Sequence, residues 1–304
     1  MIVPRTRQLT AMLAYVGLPL LMLVLYDLAV VVAYKVLHWE WVALPHIPIS
    51  LFGSAIGIIV AFRNQSAYAR WWEARTLWGA LVNNSRSWAR QVTTVMMPLN
   101  DAEAGELKAY QKRLIYHEIA YVIALRQHLR GLEPWEEIAP LLNEREVSAL
   151  RDQKNVPLAI QQQMGALLRE CQVRGWIDMA HWRSLDANLD DLVDAQGGAE
   201  RIKVTPMPKQ YDYFPQLFVQ MYCLMLPLAL VMSMGWFTPL GSTLVGFIFL
   251  ALDKIGRDLE DPFENTIYDV PLTSITRTIE VNLRQMLGET AVPPPEKPVD
   301  GVLW

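Results

Sequence analysis

The chain has 304 residues, of which 52% are hydrophobic and 19% are charged, and its formal net charge is −4. The charges are unevenly placed, because residues 1–62 carry five, residues 213–252 carry none, and about a quarter of residues 63–212 are charged. Two apolar segments around a polar one exclude a single water-soluble domain and a bundle of closely spaced transmembrane helices. The slightly acidic balance provides no basic face for phosphates, so no nucleic-acid partner is expected.

The apolar segments predict four membrane crossings, since a helix needs about 20 mostly apolar residues to span a bilayer. The first crossing is predicted within residues 9–37 and the second within residues 42–62. The third and fourth share the uncharged run 213–252, which is too long for one crossing. It is expected to break at 237–241, which contains a proline and a glycine. The second arm, 239–252, is short for a crossing, so it is expected either to continue past Asp253 inside protein or to re-enter on the same side.

Basic residues flank each predicted crossing on the same side, which by the positive-inside rule places both termini and the polar segment in the cytoplasm. These residues are Arg5, Arg7, Arg63, Arg70, Arg75, Lys203, Lys209, Lys254 and Arg257. One interleaved unit is therefore predicted. Its parts are two transmembrane helices at 1–62, a cytoplasmic helical region at 63–212, two transmembrane helices at 213–252, and a cytoplasmic helix with a C-terminal arm at 253–304.

The polar segment shows helical periodicity and no strand signal. From Ala67 to Val95, small or apolar residues recur at alternating spacings of four and three, which predicts that the second span continues inward as one long helix. A break is predicted at Gly197-Gly198, and residues 291–304 are predicted to form an extended arm, either free or lying on a neighbouring subunit. Further helices are predicted over about 107–129, 145–153, 157–174, 179–195 and 272–287.

The sequence contains no motif that would indicate an enzyme. It has no phosphate-binding glycine loop and no nucleophile elbow. His117 and His128 share a helix face, but they lie about 16 Å apart along it, which is too far for one metal ion. No catalytic residue, metal site or cofactor is predicted, and Cys171 and Cys223 are expected to be reduced thiols.

Asp27 lies within the first predicted span, where an ionisable side chain is a functional hypothesis by default. One interpretation is a proton-coupled carrier centred on this carboxyl group. The alternative is a carboxyl group that packs against other helices or reaches the outer interface near Lys35.

Ser54, Ile58 and Phe62 on the second predicted span are spaced i, i+4 and i+8, so they lie along one helix face. Beside them, Gly53 and Gly57 form a GxxxG pair, which favours a packing notch over a dimer-specific motif. If copies of the 54/58/62 face met around a ring axis, they would form a narrow constriction that gates by dewetting. Otherwise this face is a lipid-facing or core stripe.

Asp186, Asp190 and Asp194 repeat the same spacing on the helix predicted at 179–195, with leucines at 185, 189 and 192 directed toward a core. Such a stripe is either a solvated face or, when repeated by symmetry around a vestibule, a surface that attracts cations and repels anions.

Motifs spread along most of the chain resemble the bestrophin family in its prokaryotic form. They are Phe62-Arg63-Asn64, Tyr68-Ala69-Arg70-Trp71-Trp72-Glu73-Ala74-Arg75, Leu77-Trp78-Gly79, Glu200-Arg201-Ile202, Thr205-Pro206 and Leu259-Glu260-Asp261-Pro262-Phe263. The resemblance implies an all-α membrane protein with four transmembrane helices per subunit interleaved with a cytoplasmic helical bundle. It also implies a homopentamer around a central pore in the bacterial inner membrane, with C-terminal arms that wrap neighbours. The partners would then be further copies of the chain, membrane lipid and permeant ions.

The resemblance also assigns positions in the pore. The family's hydrophobic neck falls at Ser54, Ile58 and Phe62, where the serine replaces a larger apolar residue and predicts a wetter outer end. The family's cytoplasmic aperture falls near Ala180, whose small side chain predicts a wide ring. After Pro262-Phe263 the chain lacks the acidic run of the eukaryotic calcium clasp, so calcium gating is not expected.

The resulting functional prediction is a channel for small monovalent ions, chloride or sodium, with a hydrophobic neck. The acidic stripe favours cations, and the sign of the permeant ion stays open. The main alternative is a non-conducting membrane scaffold or regulator, in which the 67–95 helix and the C-terminal arm dock partners.

Overall fold

The structure is a computed structural model and describes residues 15–304. Within these residues the regular structure is helical, and the β-type pairing is one isolated bridge between Val299 and Val302. The all-α prediction is therefore confirmed. The helices are α1 (Gly17–Lys35), α2 (Ile49–Val95), α3 (Ala104–Arg130), α4 (Trp135–Ile138), α5 (Glu144–Arg151), α6 (Val156–Val173), α7 (Met179–Val204), α8 (Lys209–Met234), α9 (Thr238–Asp258) and α10 (Leu272–Met286).

The described residues divide into two compact units. The apolar unit contains residues 15–71 and 206–261, and the polar unit contains residues 72–205 and 262–304. Helix α2 contributes residues to both units, as the unbroken periodicity of its sequence predicts.

In the apolar unit, α1, α8 and α9 pack against one another. Their shared core includes Leu23 from α1, Ile56 and Val60 from α2, and Val219 and Leu226 from α8. Among residues 15–304, two helical stretches are long and apolar enough to cross a membrane, namely Gly17–Lys35 and the 50-residue stretch Lys209–Asp258 that contains α8 and α9. The predicted start of the first span at residue 9 and its basic flank at residues 5 and 7 lie outside the described residues.

The helix that contains most of the second predicted span begins later than the sequence pattern indicates. Residues 40–42 form a short 3-10 helix, and the α-helix begins at Ile49 instead of Val42. Pro45 and Pro48 lie between these elements, and each lacks the N–H that a helix interior requires. The apolar composition of residues 42–48 therefore belongs to a connection and not to α2.

The break in the 213–252 run also differs from the prediction. A 3-10 turn at Gly235–Phe237 separates α8 from α9, with Gly235 at a φ of 54°. Pro239 lies in the first turn of α9, where its missing N–H would be unpaired in any case, so it starts the helix instead of breaking it. Helix α9 then continues past Asp253 to Asp258, which gives it enough length for a crossing.

The polar unit is organised around α3, which packs against α6 and α10. All side chains from Ile119 to Leu125 are buried, as expected for a helix covered on every side. Trp78 and Trp88 of α2 are fully buried, and the Trp88 indole Nε1 donates to the Leu114 carbonyl oxygen at 3.4 Å. These two indoles have the core-packing role that their heptad spacing indicates.

Helix α7 does not stop at Gly197-Gly198, so the predicted break there is wrong. The helix continues to Val204, and Gly198 serves packing, because a Cβ atom at this position would lie 2.8 Å from a methyl group of Leu77. A glycine within a helix can mark a close approach of a neighbouring element as well as a helix end.

The C-terminal segment, residues 291–304, has no helix and lies along α10 of the same chain. The Ser274 N–H donates to the Trp304 carbonyl oxygen at 2.6 Å, and Arg277 pairs with Glu296 at 3.3 Å. The predicted extended arm is therefore held at its far end by polar contacts within the polar unit.

Candidate functional site

The part of α2 in the apolar unit has two different faces. Ile56, Val60 and Arg63 are at most 9% exposed, whereas Ile58 and Phe62 are 59% and 67% exposed. Ser54 is also exposed, so all three residues of the predicted neck stripe share the open face of the helix. At 1.5 Å per residue the stripe extends about 12 Å along the helix axis.

The hydroxyl group of Ser54 is less available to the open face than the residue type alone indicates. Its hydroxyl group donates to the Ser50 carbonyl oxygen at 2.9 Å, one turn earlier on the same helix. The bond occupies the single hydroxyl proton and leaves an acceptor oxygen toward the open face.

Among the described residues, only Gly53 of the glycine pair on α2 lies in close contact with another helix. A Cβ atom at Gly53 would lie 2.5 Å from the Tyr222 hydroxyl oxygen, so this glycine accommodates a tyrosine ring of α8. Within residues 15–304, no atom outside the local backbone of α2 lies within 4 Å of a Cβ built at Gly57. Gly53 therefore forms the packing notch that the sequence predicts, and the notch holds a side chain instead of a backbone.

Asp27 is fully buried between α1 and α9. Ser242 and Thr243 donate their hydroxyl protons to its two carboxylate oxygens, at 2.9 and 3.1 Å. Ser242 and Thr243 both lie on α9, a neighbouring helix. The geometry therefore favours a carboxyl group packed between helices over a carboxyl group drawn to the outer interface near Lys35.

A buried ion network was not anticipated from the sequence. Arg63, one residue after Phe62, contacts Asp212 of α8 at 2.7 Å and Asp253 of α9 at 3.0 Å. From the sequence, Arg63 is predicted to be a basic flank of the second span and part of the Phe62-Arg63-Asn64 motif, without a buried partner. The available signal was its place in the helical pattern, since Arg63 follows Ile56 and Val60 on the buried stripe of α2.

On α7, Ala180 and the acidic stripe occupy exposed or half-exposed positions. Ala180 is exposed in the first turn, while Asp190 and Asp194 are exposed and Asp186 is half-buried. Leu185, Leu189 and Leu192 are buried, as their spacing predicts. Partial burial and the neighbouring negative charge of Asp190 raise the pKa of Asp186.

The two histidines of α3 have carboxylate neighbours. The Nε2 atom of His117 lies 3.3 Å from Glu146, and that of His128 lies 3.5 Å from Glu200. Burial by itself would raise the pKa of Glu146, but hydrogen bonds from His117, the Asn143 N–H and Arg113 lower it to about 2. In the part of the chain that the structure describes, no three His, Cys, Asp or Glu side chains are grouped as metal ligands.

The chain is similar to a family model and to several known proteins. A family model described as bacterial and fungal bestrophin protein matches residues 9–285. A voltage-dependent anion channel-forming protein of Ralstonia nicotianae is 33% identical over 277 residues, covering 90% of this chain and 88% of the relative. A protein of the same description from Escherichia coli K12 is 35% identical over 246 residues, covering 81% of this chain and 78% of the relative.

Solved structures agree with the sequence relatives. The crystal structure of a bacterial bestrophin homologue from Klebsiella pneumoniae, in a form with one mutation, has a TM-score of 0.83 and 30% identity. It covers 90% of this chain and 99% of the homologue. The chain therefore belongs to the bacterial and fungal bestrophin family. Its relatives are channel-forming proteins by name, so the family is one of membrane channels and not of enzymes.

Proposed function

We propose that the chain is the subunit of a homopentameric channel for small monovalent ions in a bacterial inner membrane. The observation that carries the proposal is the exposed stripe Ser54, Ile58 and Phe62 on α2, in a chain whose relatives are named anion channel-forming proteins. Five copies of the stripe around one axis would form a narrow apolar neck that ions cross only when water fills it.

The exposure pattern supports a pore-facing role. Ile58 and Phe62 are large apolar side chains left open by their own chain, although the opposite face of the same helix is buried. Apolar surface of this kind faces lipid, a partner or a pore lumen. The pentamer would place Ile58 and Phe62 at the lumen and enclose Ser54 at the outer mouth.

The proposed topology has four crossings, formed by α1, the first part of α2, α8 and α9. Both termini and the polar segment would face the cytoplasm, as the distribution of lysine and arginine indicates. The channel unit would comprise crossings at 1–62 and 213–252, with cytoplasmic parts at 63–212 and 253–304. Membrane lipid would contact the apolar side chains of α1 and α8 that remain exposed.

Helix α7 would line the cytoplasmic vestibule. Ala180 would leave a wide aperture, because a methyl group extends little into the lumen. The open carboxylates Asp190 and Asp194, with Asp186, would give the vestibule a negative potential. The names of the relatives favour anions and this potential favours cations, so the vestibule would reduce any preference for chloride that the neck imposes.

Neutralising the stripe tests this vestibule. We expect Asp186→Asn, Asp190→Asn and Asp194→Asn together to lower the sodium-to-chloride permeability ratio by about two- to threefold, because the negative potential that concentrates cations is lost. Reversal potentials in asymmetric sodium chloride measure the ratio. The matched control removes three exposed charges elsewhere, with Asp101→Asn, Glu133→Gln and Glu136→Gln. An unchanged permeability ratio in the α7 variant would show that the acidic stripe does not line the ion pathway.

Flux from liposomes tests the proposed function against the scaffold alternative. Purified protein in vesicles loaded with sodium chloride is expected to release ions down their gradient, with a rate that scales with protein content. A scaffold would insert and assemble without producing flux. Inserted, pentameric protein that leaves both the sodium and the chloride gradient intact would overturn the proposal.

A further inference from the structure

Arg63 is buried although it is charged, with 1% of its side chain exposed. One guanidinium nitrogen contacts Asp212 Oδ1 at 2.7 Å. The other donates to both the Asp253 carbonyl oxygen, at 2.8 Å, and Asp253 Oδ1, at 3.0 Å. Arg257 completes the network by pairing with the second oxygen of Asp253 at 2.8 Å. The guanidinium group thus bonds to α8 and α9 at once.

The next residue of α2 strengthens the attachment to α9. Asn64 donates from its side-chain amide to the Leu252 carbonyl oxygen at 2.8 Å. Gly256 permits this approach, because a Cβ atom there would lie 2.2 Å from Asn64 Oδ1 and 3.0 Å from an Arg63 guanidinium nitrogen. Two consecutive side chains of α2 are therefore held by one short segment of α9, residues 252–257.

A buried ion pair contributes little net stability compared with an apolar contact, because both charges lose their hydration. Its best-attested structural role is to specify one register among several that apolar packing would tolerate. The charged hydrogen bonds of a guanidinium group are strong and directional. Arg63 and Asn64 therefore define both the rotation of α2 about its axis and its position along α9.

We propose that Arg63 is the positioning residue for the neck: its bonds to Asp212 and Asp253 fix the rotation of α2 that directs Phe62 into the pore. Successive helix residues point about 100° apart, so the buried anchor at 63 determines where residue 62 points. The inference rests on the proposed channel function and adds a residue that controls the neck without lining it.

The test is whether Phe62 loses its effect on conductance when the anchor is removed. In the otherwise unchanged chain, Phe62→Ala is expected to raise single-channel conductance about fivefold, because a bulky apolar side chain leaves the constriction. In the Arg63→Met background, Phe62→Ala should change conductance by less than about twofold, because residue 62 no longer points reliably into the pore. A merely structural role of Arg63 would lower yield or stability without altering this ratio.

Arg126→Met provides the matched control. Arg126 is also a buried arginine in an ion pair, with Glu137, but it belongs to the polar unit. In that background the effect of Phe62→Ala should stay at about fivefold. If Arg63→Met does not assemble, Asp212→Ala replaces it, since this aspartate is 40% exposed and its removal leaves the Arg63–Asp253 bonds in place.

In the Asp212→Ala background an intermediate ratio, about threefold, is expected, because the bond to α8 is lost and the bonds to α9 remain. A full fivefold effect in either the Arg63→Met or the Asp212→Ala background would overturn the inference while leaving the channel intact. If the unmodified protein carried no current, the proposed function and the inference that rests on it would fail together.

Discussion

Ile58→Ala combined with Phe62→Ala is expected to raise single-channel conductance by about tenfold. Both side chains are large, apolar and more than half exposed on one face of α2, one helical turn apart. A narrow ring of such side chains excludes water, and an ion cannot shed its hydration shell there without compensating ligands. Alanine widens the ring and lets water stay, so the barrier falls. Single-channel recording in planar bilayers measures the change.

The helix itself supplies a matched control. Phe52 and Ile59 repeat the same two residue types, are 43% and 37% exposed, and lie roughly 100–120° around α2 from the proposed neck face. Phe52→Ala with Ile59→Ala should leave conductance within about twofold of the unmodified channel. Equal effects of the two double variants would show that exposed apolar bulk on α2, and not the 54/58/62 face, determines the current.

Glu118→Gln is expected to reduce the pH dependence of stability between about pH 4.5 and 7. Glu118 is fully buried in α3, and burial raises its pKa to about 7 despite a hydrogen bond with Ser85. The Ser85 Oγ atom lies 2.6 Å from Glu118 Oε1 and 2.7 Å from the Leu81 carbonyl oxygen. A serine that donates to Leu81 can accept from a protonated Glu118, so the neutral acid fits the site.

The direction of the pH dependence of stability follows from the raised pKa of Glu118. The folded state holds the proton of Glu118 more tightly than the unfolded state, so the stabilisation is complete below the unfolded pKa and is lost as pH rises through about 7. The loss amounts to roughly 3 kcal/mol. Thermal midpoints of the detergent-solubilised protein across this range measure it. Glu136→Gln, which removes the same charge from an exposed position, should keep the pH dependence of the unmodified protein. If Glu118→Gln also kept the pH dependence of the unmodified protein, this result would contradict the raised pKa assigned to Glu118.

Much of the fold follows from periodicity alone. The 4,3 spacing from Ala67 to Val95 identified a helix that the structure extends from residue 49 to residue 95. The same reasoning assigned Leu185, Leu189 and Leu192 to the core, where they lie. Burial of one helix face is a local property of the pattern, so one sequence is enough to predict it.

Contacts between distant segments were harder to predict. Gly198 resembles a helix break until Leu77 is known to pack against it. Arg63 resembles a membrane flank until Asp212 and Asp253 are brought beside it. In both cases the deciding partner lies on another helix, far away along the chain, and residue spacing within one helix carries no information about such a partner.

The neck stripe was predictable in part. Its spacing showed that Ser54, Ile58 and Phe62 share a face, and the structure leaves that face open on the single chain. Their role in the pore depends on symmetry between copies, which neither the spacing nor the single chain contains. The assignment to the neck therefore rests on the family resemblance together with the exposure of these side chains.

Channel function is tested most directly by the current through purified, unmodified protein in a planar bilayer with sodium chloride at different concentrations on the two sides. We expect discrete openings and a reversal potential away from zero, whose sign identifies the preferred ion. Inserted pentamers that carry no current at any applied voltage would contradict the proposed channel function.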